Sequence, residues 1–206
     1  MRLQPRNLWS LRAALIRIHR DLFAIEQKIL YFEGFPTLSD FEKLVLVLED
    51  RRFLKHGGVD LRACLRELLK NVVGRKHGGA STIDMQFVRT ATGFKEKTIR
   101  RKLYEMLLSV IVQFRYSKLL ILRSYLSCAF FGSGLIGITR ASQRAFAVSV
   151  EQLSLAQSAE LAAMLVYPKP LHPEKRWHVK IRRRADYGLR RLVRFQKSFE
   201  KIPSRK

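Results

Sequence analysis

Cysteine is nearly absent. The 206 residues contain two, Cys64 and Cys128, in no metal-ligand spacing. Two lone thiols build no disulfide framework, and both read as small buried apolar residues. The five histidines, His19, His56, His77, His172 and His178, form no HExxH-type pattern, which disfavours a zinc enzyme. Proline is scarce too, six in all, gathered near 168–173 and toward the ends. Alternating strand patterns are almost missing, and no internal repeat is visible, so a β-sandwich, barrel or solenoid is excluded. No uncharged apolar run approaches the roughly 18–20 residues of a membrane span. Arg12, Arg17 and Arg20 interrupt the place where a signal peptide would carry its apolar stretch. Acidic residues are few as well, 17 against 40 Lys and Arg.

What is present is a core-forming, strongly basic chain. Hydrophobic residues make up 47% and charged residues 28%, enough for a packed domain and too apolar for disorder. At about 100–200 residues per domain the length fits one domain, or one domain with an appendage. The net charge of +23 draws the chain toward polyanions: nucleic acid, anionic lipid or phosphorylated substrates.

Helix follows helix. Leu8, Leu11, Leu15, Ile18, Leu22, Ile25 and Ile29 repeat at three- and four-residue spacings, one face of a helix over residues 8–29. Its other face carries Arg12, Arg17, Arg20 and Lys28. Such a helix packs on the domain, lies on a membrane surface or forms a coiled-coil seam. Gly34-Phe35-Pro36 breaks it, and Ser39 with Glu42 makes a capping box for a second helix ending near Glu49-Asp50. Gly57-Gly58 mark a turn. Asp60 caps a helix over 61–73, stopped by Gly74. Residues 75–80 read as an exposed loop, and Ser81 with Asp84 as a capping box for a short helix through Val88. Further helices are expected over 98–115, 118–130, 153–165 and 179–198, with a flexible connection at Gly132, Gly134 and Gly137 and a frayed tail after Ile202.

Four clusters carry chemistry-bearing residue types. Glu49-Asp50 sits at a helix end, followed by Phe53, His56 and Gly58. Gly79, Ser81, Thr82, Gln86 and Arg89 form a Gly-rich loop entering a helix, whose free N–H groups suit an anion. Arg101, Lys102 and Glu105 lie on one polar stripe of an apolar helix. The last cluster is Lys180, Arg182 and Arg183. Each also has a plain reading: a solvated helix end, a well-capped loop, or a surface ion pair contributing a few tenths of a kcal/mol.

Taken in order, these residues resemble the peptidoglycan glycosyltransferase (transglycosylase) domain. That domain occurs in bifunctional penicillin-binding proteins and in monofunctional biosynthetic transglycosylases. Its Glu-Asp-x-x-Phe-x-x-His-x-Gly motif is matched by Glu49, Asp50, Phe53, His56 and Gly58. Gly-x-Ser-Thr-Ile-x-x-Gln-x-x-Lys/Arg is matched by Gly79, Ser81, Thr82, Ile83, Gln86 and Arg89. Arg-Lys-x-x-Glu is matched by Arg101, Lys102 and Glu105. Lys-x-x-Ile-Leu-x-x-Tyr-Leu is matched by Lys118, Ile121, Leu122, Tyr125 and Leu126, with Gly132 following. Leu153, Ser154, Ala159, Leu161, Ala162, Arg182 and Arg183 match the last motif. Met85, Asp84, Arg123, Ser127 and Ala147 depart from the usual residues, where Gln, Thr, Glu, Asn and a Phe-Gly-Lys turn are common.

The resemblance implies an all-α, lysozyme-like two-lobed fold over residues 36–200, with a basic amphipathic helix over 1–35 and a tail over 201–206. It implies polymerisation of lipid II into glycan strands by inverting transfer, with release of undecaprenyl pyrophosphate. Glu49 would be the general base and Glu105 the second essential carboxylate. Arg89, Arg101 and Lys102 would clamp the pyrophosphate, and Ser81, Thr82 and Gln86 line the donor site, with Asp50 and His56 also binding substrate. No cofactor is required by the residues; a magnesium ion would fit the chemistry. The implied partners are lipid II, the growing strand, an anionic membrane surface and cell-wall synthesis proteins, on the outer face of the bacterial cytoplasmic membrane. A regulatory homologue of the same fold without activity is an alternative. A basic helical nucleic-acid binder is a second, with no helix-turn-helix or RNA-binding signature to support it.

Overall fold

The computed structural model describes residues 11–30, 37–72 and 79–199. The expected break at Gly34-Phe35-Pro36, the stop at Gly74, most of the loop at 75–80 and the tail after Ile202 lie outside the described residues, as does Leu8.

Among the described residues the chain is helical apart from one small hairpin. The helices are α1 (Leu11–Glu26), α2 (Asp40–Glu49), α3 (Leu61–Val72), α4 (Ile83–Thr92), α5 (Ile99–Arg115), α6 (Lys118–Cys128), α7 (Ile138–Phe146), α8 (Leu155–Val166) and α9 (Lys175–Phe199). Short 3-10 turns occupy Phe53–Lys55 and Val150–Gln152. None of these helices is long and apolar enough to cross a membrane.

Two groups of helices share one core. In the first, α8 and α9 pack on α2. In the second, α1, α5 and α6 pack on α4. The centres of the two groups are apolar: Leu44, Val45 and Leu46 on α2, Phe87 and Val88 on α4, and Leu161 and Ala162 on α8 are fully enclosed. Gly188 of α9 lies against Leu44 and Leu48, so α9 approaches α2 closely.

Local signals set several boundaries. Ser39 and Glu42 form the expected reciprocal capping box. Asp60 accepts from Arg62 N and Ala63 N and caps α3. Ser154 and Gln157 form another box, which starts α8 two residues later than its apolar pattern suggests.

Three expectations are corrected. The Ser81–Asp84 capping box does not form: Thr82 is the N-cap of α4, accepting from Met85 N, and Asp84 turns inward. The connection after α6 is not a flexible glycine linker. Phe130–Gly132 (β1) and Leu135–Ile136 (β2) pair antiparallel, and Lys169 is threaded against them through Lys169 N to Phe131 O and Ser133 N to Lys169 O, both 2.8 Å. Gly132 has φ +151°, and any Cβ there would strike the Lys169 backbone. The cysteines, finally, are free but only partly buried.

Helix α1 belongs to the packed body at its C-terminal end only. Ile25 and Ile29 are buried, and Leu30 N donates to Ser124 Oγ at 3.0 Å. Asp21 is buried and accepts from Tyr104 Oη of α5 at 2.9 Å. The first two turns behave otherwise: Leu11 is 77% exposed, and Leu15 and Ile16 are also bare. The apolar stripe read from the sequence is therefore covered by protein along half its length.

Candidate active site

The last turn of α2 delivers Glu49 and Asp50 to the seam between the two helix groups. Helix ends leave carbonyls without intrahelical partners. Arg184 of α9 meets one of them, donating from Nη2 to Leu48 O at 2.7 Å. Glu49 then points to α4, where its carboxylate accepts from Gln86 Nε2 at 2.8 Å. Gln86 Oε1 in turn accepts from Tyr125 Oη of α6 at 2.7 Å. Burial pushes the Glu49 carboxyl above its ordinary value near 4.5; the Gln86 hydrogen bond and the Arg184 charge oppose this, and Asp50 adds to it. A carboxyl shifted upward in this way is a suitable proton acceptor near neutral pH.

Asp50 and His56 are tied into the scaffold. Asp50 Oδ2 accepts from Ile83 N, the first residue of α4, at 3.1 Å and lies 3.0 Å from His56 Nε2. Those two contacts lock the end of α2 to the start of α4. His56 Nδ1 is buried, has no hydrogen bond, and lies 4.0 Å from Asp84 Oδ2. Lys118 Nζ reaches both Asp84 oxygens, at 3.0 and 3.1 Å, and sits over the Phe53 ring at 4.3 Å. Burial raises the Asp84 carboxyl and lowers the Lys118 ammonium, each shift opposed by the other partner's charge. Asp50, His56 and Asp84 bring ligand-type atoms within 4.8 Å of one another, and the ammonium of Lys118 already supplies a cation beside them.

The Gly-rich loop leads into α4. Thr82 spends its hydroxyl inside the protein, donating to Gly58 O at 2.7 Å and accepting from Met85 N. Gly58, at φ +88°, lies so close to α5 that a Cβ would come within 2.5 Å of Ser109 O. The loop, the Gly57-Gly58 turn and α5 are thus held in register. Ser81 faces the other way, and its Oγ accepts from Lys102 Nζ at 2.7 Å.

Beyond Gln86 by one turn of α4 stands Arg89. Its Nε lies 3.2 Å from Glu105 Oε1, the same oxygen that accepts from Arg101 Nη1. Glu105 is fully buried, so this is no surface ion pair. Burial and the nearby Arg89 charge lower the Lys102 ammonium, while Glu105 raises it. Three cations therefore face one carboxylate. Nε of Arg89 and Nε of Arg101 make no hydrogen bond, and neither does Glu105 Oε2. Such a surplus of donors suits an anion.

The structure brings Glu49, Asp50, His56, Ser81, Thr82, Gln86, Arg89, Arg101, Lys102 and Glu105 into one connected region. A cleft of about 490 Å³ opens beside it, lined by Glu49, Arg52, Arg66, Lys70, Ser81 and Arg184 among others. Arg182 and Arg183, the cations expected from α9, are exposed, and Arg184 is the one that turns inward. A helix wheel on the buried Ile181, Ala185 and Leu192 would have found it. Arg123 serves the scaffold: its Nε donates to Glu42 at 2.8 Å and its Nη2 to Thr37 O.

Comparisons with known proteins point to one family. The family model described as Transglycosylase matches residues 23–193. The chain is 34% identical to penicillin-binding protein 1A of Rickettsia bellii over 83% of its own length and 22% of that protein. It is 36% identical to penicillin-binding protein 2a of Streptococcus pneumoniae serotype 2, covering 71% of this chain and 20% of the other. A Cupriavidus necator protein named as a transglycosylase, H16_A0665, is 34% identical across 72% of this chain and 64% of its own. The chain thus spans about a fifth of the penicillin-binding proteins it matches and under two thirds of the Cupriavidus protein. With more than three quarters of its length inside one family match, and the acid pair and cation cluster assembled as described, the chain belongs to the transglycosylase family.

Proposed function

We propose that this chain is a peptidoglycan glycosyltransferase that extends glycan strands from lipid II at a membrane surface. The observation that carries the reading is the use of one face of α4 by both groups. Gln86 meets Glu49, and one turn further on Arg89 meets Glu105 beside Arg101 and Lys102. A proton acceptor and an anion receptor held side by side along α4 suit displacement at a sugar carbon with inversion, in which separate groups serve the nucleophile and the leaving group.

In the step, the acceptor's 4-hydroxyl oxygen forms the new bond to C1 of the donor sugar. The bond from C1 to the pyrophosphate oxygen breaks, and its electrons leave with undecaprenyl pyrophosphate. Glu49 takes the hydroxyl proton. Arg89, Arg101 and Lys102 hold the negative charge as it grows, with Glu105 keeping the guanidinium groups in place. Glu105 Oε2, which has no hydrogen bond, is the protein oxygen that would hold a magnesium ion if one binds here. Such an ion would supply further positive charge at the leaving group.

The test is polymerisation of labelled lipid II by the purified chain. Long strands are expected from the wild type and none in the presence of moenomycin, the donor-site inhibitor of the family, or from Glu105→Gln. No strands from a folded protein that still binds moenomycin would replace this reading with a regulatory homologue that keeps only the donor cleft.

The same proposal places bare apolar residues against lipid. Ile99 is 82% exposed, Leu103 and Leu107 continue its stripe along α5, and Leu11, Leu15 and Ile16 stand bare on α1. Together with the +23 charge they suit an anionic bilayer. Replacing Leu11, Leu15 and Ile16 by Ser removes apolar area without touching Asp21, Ile25 or Ile29. Partition onto anionic liposomes is expected to weaken by more than about ten-fold; undiminished partition would remove α1 from the lipid contact.

A further inference from the structure

Tyr125 of α6 adjoins this region and has no part in the steps above. It is 5% exposed, an apolar ring in the core with its hydroxyl turned to Gln86. A buried tyrosine commonly finds some partner for its hydroxyl. Here the partner is an amide, and the amide's other end meets the carboxylate proposed as the base.

An amide has a donor end and an acceptor end, and the two have nearly the same shape. An ionised Glu49 accepts only, so it requires the N–H end of Gln86. Turned over, Gln86 would set a carbonyl oxygen against a carboxylate. A hydroxyl donating to Oε1 reinforces that choice, because it holds the carbonyl end away from Glu49. The chain of contacts runs from α6 through α4 to the end of α2, 2.7 Å and then 2.8 Å.

We propose that Tyr125 is a positioning residue for the base: by donating to Gln86 Oε1 it keeps the Gln86 amide in the orientation that presents N–H to Glu49. The proposal rests on Glu49 being the base. The charged groups that act on Glu49 from the surrounding elements are Arg184 of α9 and Asp50. Those that act on Tyr125 are Glu49, Cys128 and Arg89. Of these, Glu49 meets the Gln86 amide at its Nε2 end, and Tyr125 is the hydrogen-bond partner at the Oε1 end. Tyr125 itself stays protonated, its phenol pushed well above the usual range by burial and then by the Glu49 charge.

Tyr125→Phe keeps the ring and removes the hydroxyl. The reading makes two linked demands. The Glu49 carboxyl, deprived of a fixed donor, titrates higher by about one pH unit. Polymerisation near neutral pH falls about ten-fold, with KM changed little, and recovers toward wild type as the pH is raised, because the base must be ionised to act.

The first quantity is read by NMR on full-length protein labelled with 13C at the glutamate carboxyls, with Glu49→Gln identifying the signal. The second is read from pH profiles of kcat and KM. A midpoint for Glu49 unchanged by Tyr125→Phe would overturn the proposal. So would a loss of kcat equal at every pH, which is what simple loosening of the core produces. In a Gln86→Leu background the relay is already cut, and Tyr125→Phe is expected to leave the midpoint where it is; a further shift there would also overturn it. If Tyr125→Phe does not fold, Gln86→Leu alone must raise the same midpoint, and its failure to do so overturns the relay. The NMR titration needs no turnover. A wild type that makes no strands would overturn the functional reading, while the midpoints would still decide whether Tyr125 positions Glu49.

Discussion

Glu49→Gln is expected to lower polymerisation of lipid II by about 10²–10⁴-fold, the range in which a positioned base contributes. Gln matches Glu in shape and can still meet Gln86, so the fold persists and the loss is chemical. The same substitution should make the protein more stable at neutral pH. The sign follows from the direction of the shift. Burial holds the Glu49 carboxyl above its unfolded value, so the folded state binds the proton more tightly. The stability linked to that proton is present below the unfolded value, near 4.5, and is lost as pH rises through the shifted one. Gln has no such loss. Thermal melts of the two proteins should coincide at low pH and separate as the pH is raised, with Glu49→Gln the higher. Identical melts at every pH, or strands made at the wild-type rate, would remove Glu49 from its role. A gain in stability on removing a catalytic group is the usual mark of a site held under unfavourable conditions for the sake of activity.

Lys118→Met is expected to cost the most stability of any single change at the seam. It leaves Asp84 fully buried with no cation, facing the Asp50–His56 pair. Removing one partner of a buried pair costs roughly 3–5 kcal/mol, which for a chain of this size lowers Tm by roughly 6–20 °C. Without its ammonium, Asp84 takes up a proton more readily than it already does, so the deficit should grow as pH rises through its raised value. Adding Asp84→Thr removes the stranded charge and should recover most of the loss. A single variant melting within about 2 °C of wild type would show that the pair contributes little.

Much of this site was legible from residue order, and for physical reasons. Gln86 and Arg89 on α4, and Arg101 and Glu105 on α5, lie three or four apart, the spacing that puts them one turn apart on a helix face. The capping boxes at Ser39 and Ser154 are local and read directly. What stayed hidden depended on contacts between distant elements. Asp84 looked like a cap residue because its partner, Lys118, is 34 positions away. Arg184 stood in a run of three arginines, and only the packing of α9 on α2 shows which one turns inward. Gly132 read as slack because the strand-like segment it receives, around Lys169, arrives from beyond α8. The amphipathic pattern of α1 was real, but a pattern does not tell which part of an apolar stripe meets protein.

The contact between Tyr104 and Asp21 has a mechanical consequence. Tyr104 stands between Lys102 and Glu105 on α5, and its hydroxyl ends on the buried carboxylate of α1, with Arg17 over its ring at 4.9 Å. The helix whose outer turns are bare and the helix that carries the phosphate-type cations are therefore joined by a strut. A tilt of α1 would therefore be felt first on α5, the helix of Arg101, Lys102 and Glu105.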